Sequence, residues 1–401
     1  MKYAIVLPDG AADFPLEALE GRTPFEAADT PRIDELAIDG RLGTVRTTPA
    51  GMPCGSDVCT MSLLGYDPAR YHTGRAPLEA AAMGVDLARS DWVFRVNLVS
   101  TPHGVMQDHS AGHIGDAEAS RLLTDFADAH PLRGLELRPG VSYRHILVDR
   151  DPERDWDELV TTPPHDIPGQ PVSGHLPLGG DHAALLRELI ESSTALFADH
   201  EINQARRETG QAEATCLWPW GQGVPPTLPS FEQRFGLRGA MITAVDLLAG
   251  LASFLGWDRL DAPGQSSYHD TDYAAAGRHA ADALHDYDVV AVHIEAPDEA
   301  AHAADARTKV AAIEAIDRHI VGPLVDRLRD RAEPFRLLLM PDHYTRVDTR
   351  KHDPTPPPFL IHGHEIHGVR RKPFTENNAQ AADLHIAHGH ELMEFFLRGG
   401  L

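Results

Sequence analysis

The sequence predicts an α/β fold: a largely parallel sheet flanked by helices, with a smaller α+β domain inserted into it. Three observations carry the prediction. First, three short apolar runs lead to acids: Tyr3-Ala4-Ile5-Val6-Leu7-Pro8 into Asp9, Val289-Val290-Ala291-Val292-His293-Ile294 towards Asp298, and Leu337-Leu338-Leu339-Met340-Pro341 into Asp342. Continuous apolar runs rich in branched residues read as strands buried on both faces, as in a parallel sheet. Second, strand-like and helix-like segments alternate over residues 1–90 and again after about residue 182, the rhythm of βα units. Third, the character changes from about residue 92. Phe94-Arg95-Val96-Asn97-Leu98-Val99 and Tyr143-Arg144-His145-Ile146-Leu147-Val148 look like strands of a half-exposed sheet, with a helix over Ala117–Ala129 between them.

In chain order, Thr30-Pro31-Arg32-Ile33-Asp34-Glu35-Leu36 opens a helix, with Thr30 as N-cap and Pro31 in the first turn. The Gly/Pro-rich loop from Thr48 to Gly55 delivers Ser56-Asp57 to an apolar stretch ending at Leu64. Residues 150–181, with Pro163-Pro164, Pro168, Pro171, Pro177 and Gly179-Gly180, read as an ordered but irregular return path. Helix resumes over Ala183–Leu196, and further helices are expected around 240–256, 274–285 and 300–328. The expected domains are a core of 1–91 with 182–401 and an insertion of 92–181. Two domains suit a chain of 401 residues.

Acids outnumber Lys and Arg by 60 to 36, a formal charge of −24. A field of that sign repels nucleic acid and anionic membrane, and it gives solubility. An anionic substrate then needs a local concentration of Arg or metal. Cys54, Cys59 and Cys216 are too few and scattered for a disulfide framework, which fits a reducing cytoplasm. No signal peptide or membrane span is read, so the expected protein is soluble and cytoplasmic. Association into a homo-oligomer is left open.

In an open α/β sheet, ligands bind outside the carboxyl ends of the strands. Asp9, Ser56, Asp298, His302, Asp342, His343 and His352 supply enough O and N donors there for two divalent ions. Mixed carboxylate and imidazole donors suit Mn²⁺ or Zn²⁺ better than Ca²⁺, with Mg²⁺ also admitted. Ser56 follows a Gly-rich turn at a helix start, where a hydroxyl beside a cation loses its proton readily and can attack phosphorus. The same serine also reads as a helix cap. Asp298 and His302, four apart, share a helical face that Asp305 and Lys309 extend; that stripe also reads as a solvated polar face. Asp342 after a strand also reads as a turn residue. His362, His364, His367, His385, His388 and His390 are taken as ordinary residues, because no acid-ended strand introduces them.

Several motifs occur together: Gly55-Ser56-Asp57, Leu63-Leu64-Gly65-Tyr66-Asp67-Pro68, the stretch from Tyr71 to Ala80, Ser110-Ala111-Gly112-His113-Ile114 and Pro139-Gly140-Val141-Ser142-Tyr143-Arg144-His145. Trp220-Gly221-Gln222-Gly223, Glu295-Ala296-Pro297-Asp298-Glu299-Ala300 with His302, and Asp342-His343 complete the set. With them the chain resembles the archaeal-type cofactor-independent (2,3-bisphosphoglycerate-independent) phosphoglycerate mutases of the alkaline phosphatase superfamily. The resemblance implies an alkaline-phosphatase-like core and an inserted domain that covers the substrate. It implies that 3-phosphoglycerate and 2-phosphoglycerate interconvert through a phosphoserine at Ser56, with two divalent ions (Mn first; Zn, Mg or Co admitted) and no 2,3-bisphosphoglycerate. Asp9, Ser56, Asp342 and His343 would surround one ion, and Asp298, His302 and His352 the other. Arg75, Arg95, Asp108, His113, Arg144 and His145 would contact the small anionic substrate, with Asp108 or His113 moving the hydroxyl proton.

Four positions depart from the family pattern: His109 for Tyr, Cys54 for a small residue or Pro, Tyr344-Thr345-Arg346 for Ser-Thr-Pro, and Thr355-Pro356-Pro357-Pro358 for Asp-Pro-Val-Pro. They leave the ligands intact and bear on the substrate. A phosphatase, or a mutase acting on another small phosphorylated or phosphonate acid, is the alternative on the same scaffold. A non-catalytic metal-binding protein is opposed by the intact Ser56.

Overall fold

A computed structural model describes residues 1–331 and 333–399. The chain divides into two compact units, Met1–His72 with Leu228–Leu401, and Thr73–Thr227. Along the chain, the first unit opens with β1 (Lys2–Pro8) and β2 (Arg41–Val45). The second unit holds β3 (Trp92–Val99), β4 (Leu135–Arg138), β5 (Arg144–Asp149) and β6 (Cys216–Gly223). The return to the first unit adds β7 (Gly239–Ile242), β8 (Asp258–Arg259), β9 (Val289–Ile294), β10 (Phe335–Leu339), β11 (Tyr344–Arg346), β12 (Lys351–Asp353), β13 (Pro358–Gly363) and β14 (His385–Ile386).

Eight strands form one sheet in the order β14-β2-β13-β10-β1-β9-β7-β8. β1 runs parallel to both β9 and β10, and β13 alone opposes the common direction. Ala4, Ile5, Val6 and Leu7 are wholly buried, as are Val289–Val292 and Leu337–Leu339. Helices cover both faces of such a sheet, and that is why these runs are apolar without alternation. On one face Val6, Val292 and Leu339 join the helical residues Ile33, Leu36, Ile313 and Leu324 in a single core. The α/β class with a mostly parallel, helix-flanked sheet is as expected.

The helices correct the expectation in detail. Pro31–Asp39 is helical, yet the Thr30 side chain makes no cap bond. Residues 240–242 of the expected 240–256 helix belong to strand β7, and the helix itself is Asp246–Phe254. The expected 300–328 helix is three pieces and a wide turn: Ala296–His302, Ala306–Ile316, a π turn at Asp317–Val321, and Gly322–Asp330. The first break comes at Ala304, whose φ is +60°. Asp305 then caps the next helix, accepting from the N–H groups of Arg307 and Thr308. Asp305 and Lys309 therefore do not continue the Asp298–His302 face. Lys309 is wholly buried, its ammonium bonded to the Thr345 carbonyl at 2.6 Å and close to Asp13 at 3.5 Å.

The second unit is a four-stranded antiparallel sheet, β4-β5-β3-β6, with the helices Asp116–Ala129 and Ala183–Ala198. Its core joins Phe94, Leu98, Phe126, Leu147, Trp156, Leu186, Phe197 and Leu217. Domain limits of 91 and 182 differ from this division, because the Ala183–Ala198 helix packs against β6 and β6 pairs with β3. Residues 73–91 and 182–227 thus belong to the second unit.

Among the described residues no helix is long and apolar enough to cross a membrane.

One buried acid sets a pH dependence for the first unit. Glu376, 3% exposed, accepts a hydrogen bond from the Thr23 hydroxyl, and burial pushes its pKa up to about 7 from 4.5. An acid whose pKa is raised on folding holds a proton that the unfolded chain has already lost. The stability from this group is therefore full below about pH 4.5, falls as pH rises through 7, and is flat beyond. Relative to Glu376→Gln, urea denaturation should show the wild type losing roughly 3 kcal/mol of stability between pH 4.5 and 7.5. A pH-independent difference between the two proteins would refute the assignment.

Candidate functional site

The carboxyl ends of β1, β9 and β10 lie side by side, and each delivers acids into the same space. Asp9 follows β1 directly, Asp298 sits in the first turn of the helix after β9, and Asp342-His343 follow β10. Gly10 makes this crowding feasible: its φ is +56°, and a Cβ there would sit 2.3 Å from Asp298 Oδ1.

Ser56 begins the Ser56–Leu63 helix, with Gly55 as N-cap, so its side chain caps nothing. Its Oγ lies 3.3 Å from His343 Nε2. That nitrogen is 3.5 Å from Asp9 and 3.4 Å from Asp342. Asp9 Oδ1 and Asp342 Oδ2 are buried and accept no hydrogen bond. On the other side of His343, Asp298 lies 3.1 Å from His302 Nε2 and 3.5 Å from His352 Nε2. Two groups of donor atoms result, each within 4.8 Å: Asp9, Asp342 and His343, and Asp298, His343 and His352. The sequence assigned His343 to one set only, whereas here it borders both.

The imidazoles are oriented alike. His302 Nδ1 bonds the Arg350 carbonyl at 3.1 Å, and His352 Nδ1 bonds the Cys54 carbonyl at 2.8 Å. A carbonyl only accepts, so each Nδ1 carries a proton, and each Nε2 faces Asp298, donating to it while the imidazole is charged and free to bind a cation once it is neutral. Thr345 donates its hydroxyl to Asp298 and so accepts from His343 Nδ1 at 3.1 Å, giving His343 the same tautomer. Imidazoles tied at one nitrogen and presented through the other are how proteins hold metal ligands.

The charges agree. Burial, then repulsion from Asp342 and Asp298, pushes the Asp9 carboxyl well above its usual range. Burial pushes Asp298 the same way, but hydrogen bonds from His302 and His352 overcome it and hold Asp298 well below normal. Burial lowers His352, and the stronger pull of Asp298 raises it to about 9. Acids this close call for positive charge, and the donor set of carboxylate oxygens and imidazole nitrogens fits a divalent cation.

Sequence reading missed the residues behind the ligands. His293 points from inside β9 and donates to Asp9 Oδ2 at 2.7 Å, while Thr243 bonds its Nδ1 at 3.1 Å. Glu295 joins this third group of Asp9 and His293, its carboxyl pushed well up by burial and then by Asp9. A histidine inside an otherwise aliphatic strand was the available signal. Among the described residues, none of the C-terminal histidines enters such a group.

The second unit carries a cluster of its own. Arg95, on β3, bonds Glu79 at 2.8 Å, and its guanidinium lies 4.1 Å over the Trp220 ring. Burial lowers its pKa, Glu79 opposes, and nearby Arg75 and Arg144 press further down. Arg95 on β3 and Arg144 on β5, with Arg75 at the start of the Ala76–Ala82 helix, make a cluster of positive charge that suits an anion. Arg144 lies 5.7 Å from the Tyr143 ring, beside His109 and the exposed His113, whose rings are 5.7 and 5.8 Å from it. Asp108 accepts from Ser110 N–H and Oγ and from Gly112 N–H at 2.7–2.8 Å; these bonds outweigh burial and keep its pKa low. His145 departs from the expected group. Strand alternation turns it inward, 2% exposed, where it accepts from Gly140 N–H and burial lowers its pKa to about 4.

The family model described as 2,3-bisphosphoglycerate-independent phosphoglycerate mutase matches residues 37–203. A 2,3-bisphosphoglycerate-independent phosphoglycerate mutase 2 from Methanothermobacter thermautotrophicus is 44% identical over 397 residues, covering 99% of this chain and 97% of that protein. Among solved structures, a Pyrococcus horikoshii protein superposes with TM-score 0.82 at 28% identity, over 99% of this chain and 96% of that one. A cofactor-independent phosphoglycerate mutase from Thermoplasma acidophilum gives 0.69 at 25% identity over the whole of both chains.

Proposed function

The chain belongs to the 2,3-bisphosphoglycerate-independent phosphoglycerate mutases, and from that premise we propose that it interconverts 3-phosphoglycerate and 2-phosphoglycerate through a phosphoserine at Ser56. The observation that carries this reading is the Ser56 hydroxyl, 3.3 Å from His343 Nε2, beside two buried carboxylate oxygens with no hydrogen bond. Asp9, Ser56, Asp342 and His343 would hold one divalent ion, and Asp298, His302 and His352 the other, with Mn the first choice for this donor set. When bound, such ions supply Lewis-acid polarisation of phosphoryl oxygens and lower the pKa of the serine hydroxyl.

The residues of the chain do the rest. Ser56 Oγ forms a bond to phosphorus, the bond from phosphorus to the 3-oxygen breaks, and that oxygen takes up a proton as glycerate's 3-hydroxyl. Glycerate turns, its 2-oxygen attacks the phosphoserine, and Ser56 is released. His293 and Thr345 keep Asp9 and Asp298 oriented through both halves. We assign the substrate-holding role to the second unit, with Arg75, Arg95 and Arg144 taking the carboxylate and phosphate. Asp108 is already committed to three donors, which leaves His113 to carry the hydroxyl proton. Free Cys54, Cys59 and Cys216 fit a cytoplasmic glycolytic enzyme.

The test is ³¹P NMR of the purified protein with 3-phosphoglycerate. It should form 2-phosphoglycerate, lose that activity to EDTA and regain it with Mn²⁺. Release of inorganic phosphate as the main product would replace the mutase reading with a phosphatase one.

A further inference from the structure

Cys54 and Cys59 flank the serine at the first residue of its helix, and their spacing is set by that helix. With Gly55 as N-cap, Cys54 occupies the position before the cap and Cys59 the fourth helical position. Side chains at these two positions meet across the helix start, the place where a hydrophobic pair usually staples the entering chain. Here both positions hold thiols: Cys54 and Cys59 are close neighbours, and Cys54 Sγ donates to the Asp353 carbonyl at 3.6 Å. Cys59 is wholly buried and contacts the Thr48 hydroxyl at 3.3 Å, while Cys54 is only partly buried. One thiol is open to a solute, and its neighbour is sheltered behind it.

We propose that Cys54 and Cys59 form a peroxide-sensitive dithiol that closes to a disulfide and reversibly disables the site. The Cys54 sulfur attacks a hydroperoxide oxygen, the O–O bond breaks, and hydroxide leaves and becomes water. The Cys59 sulfur then attacks the resulting sulfenic acid, the S–S bond forms, the S–O bond breaks, and a second water departs. Two thiols lose two electrons and one peroxide gains them. The Cys54 carbonyl bonds His352 Nδ1 at 2.8 Å, so drawing Cys54 towards Cys59 moves the oxygen that aims the His352 ring. The loss of activity rests on the role given to His352 above; the disulfide itself does not.

Trypsin releases both cysteines in one peptide, Thr47–Arg70, separate from Cys216. After hydrogen peroxide treatment of the folded protein, that peptide should be about 2 Da lighter and carry no alkylatable thiol. Activity should fall roughly 10–100-fold, the cost of a lost outer-shell contact, and return with dithiothreitol. In Cys59→Ala, a second peroxide should instead oxidise the Cys54 sulfenic acid to sulfinic acid, which dithiothreitol does not remove. Should Cys59→Ala not fold, Cys54→Ser supplies the same control, with Cys59 remaining reduced. A peptide that keeps both thiols overturns the proposal, and a disulfide that leaves turnover unchanged overturns its coupling to His352.

Discussion

Ser56→Ala should lower the interconversion of 3- and 2-phosphoglycerate by at least about 10³-fold while the protein keeps its fold. The two halves of that expectation come from different features. Ser56 is the first residue of its helix and caps nothing, so alanine costs the helix under about 0.5 kcal/mol. Its hydroxyl contact is His343 Nε2, on the opposite side of the chain in sequence terms at 287 residues' separation. The substitution therefore deletes a nucleophile without opening a core cavity. Phosphate trapped on the Thr47–Arg70 peptide during turnover should appear in the wild type and vanish in the variant. A variant retaining a tenth of the rate would sink the phosphoserine route.

The second large effect is on stability. Lys309→Met should destabilise the first unit by about 3–5 kcal/mol, because it strips the partner from a buried acid. Lys309 is 0% exposed and Asp13 1%, and the ammonium also bonds the Ala12 and Thr345 carbonyls at 3.3 and 2.6 Å. Methionine fills the volume and supplies no proton. Adding Asp13→Asn should recover part of the loss, since the orphaned charge goes with it. Additive losses in the double variant would show that the pair is not coupled. The damage should also reach the site: Thr345, held through its carbonyl by Lys309, donates its hydroxyl to Asp298. Mn²⁺ affinity is accordingly expected to drop with stability.

What could be read without coordinates was what burial imprints on composition. Asp9 and Asp342 stood out because fully buried strands leave apolar runs that end abruptly on an acid. Asp298 and His302 stood out because a four-residue step fixes a helical face. Lys309 was placed on one helical stripe with Asp298 and His302, since a helix broken at Ala304 has the same local pattern as a continuous one. Thr345 carries no local signal, and the one histidine of aliphatic β9 acquires its role only once β9 and β10 flank β1. The limit near residue 182 was misplaced for a similar reason. A Pro-rich stretch looked like a boundary, but the helix after it packs on β6.

The central strand of the large sheet precedes both of its partners by nearly 290 residues or more. Tyr3 pairs with Val289, and Lys2 with Phe335. During synthesis the N-terminal strand therefore waits on the order of tens of seconds with both edges bare. On the proposed assignment, the donor groups cannot come together on a nascent chain that stops short of residue 352, so a cation held by them would be acquired after most of the polypeptide has left the ribosome.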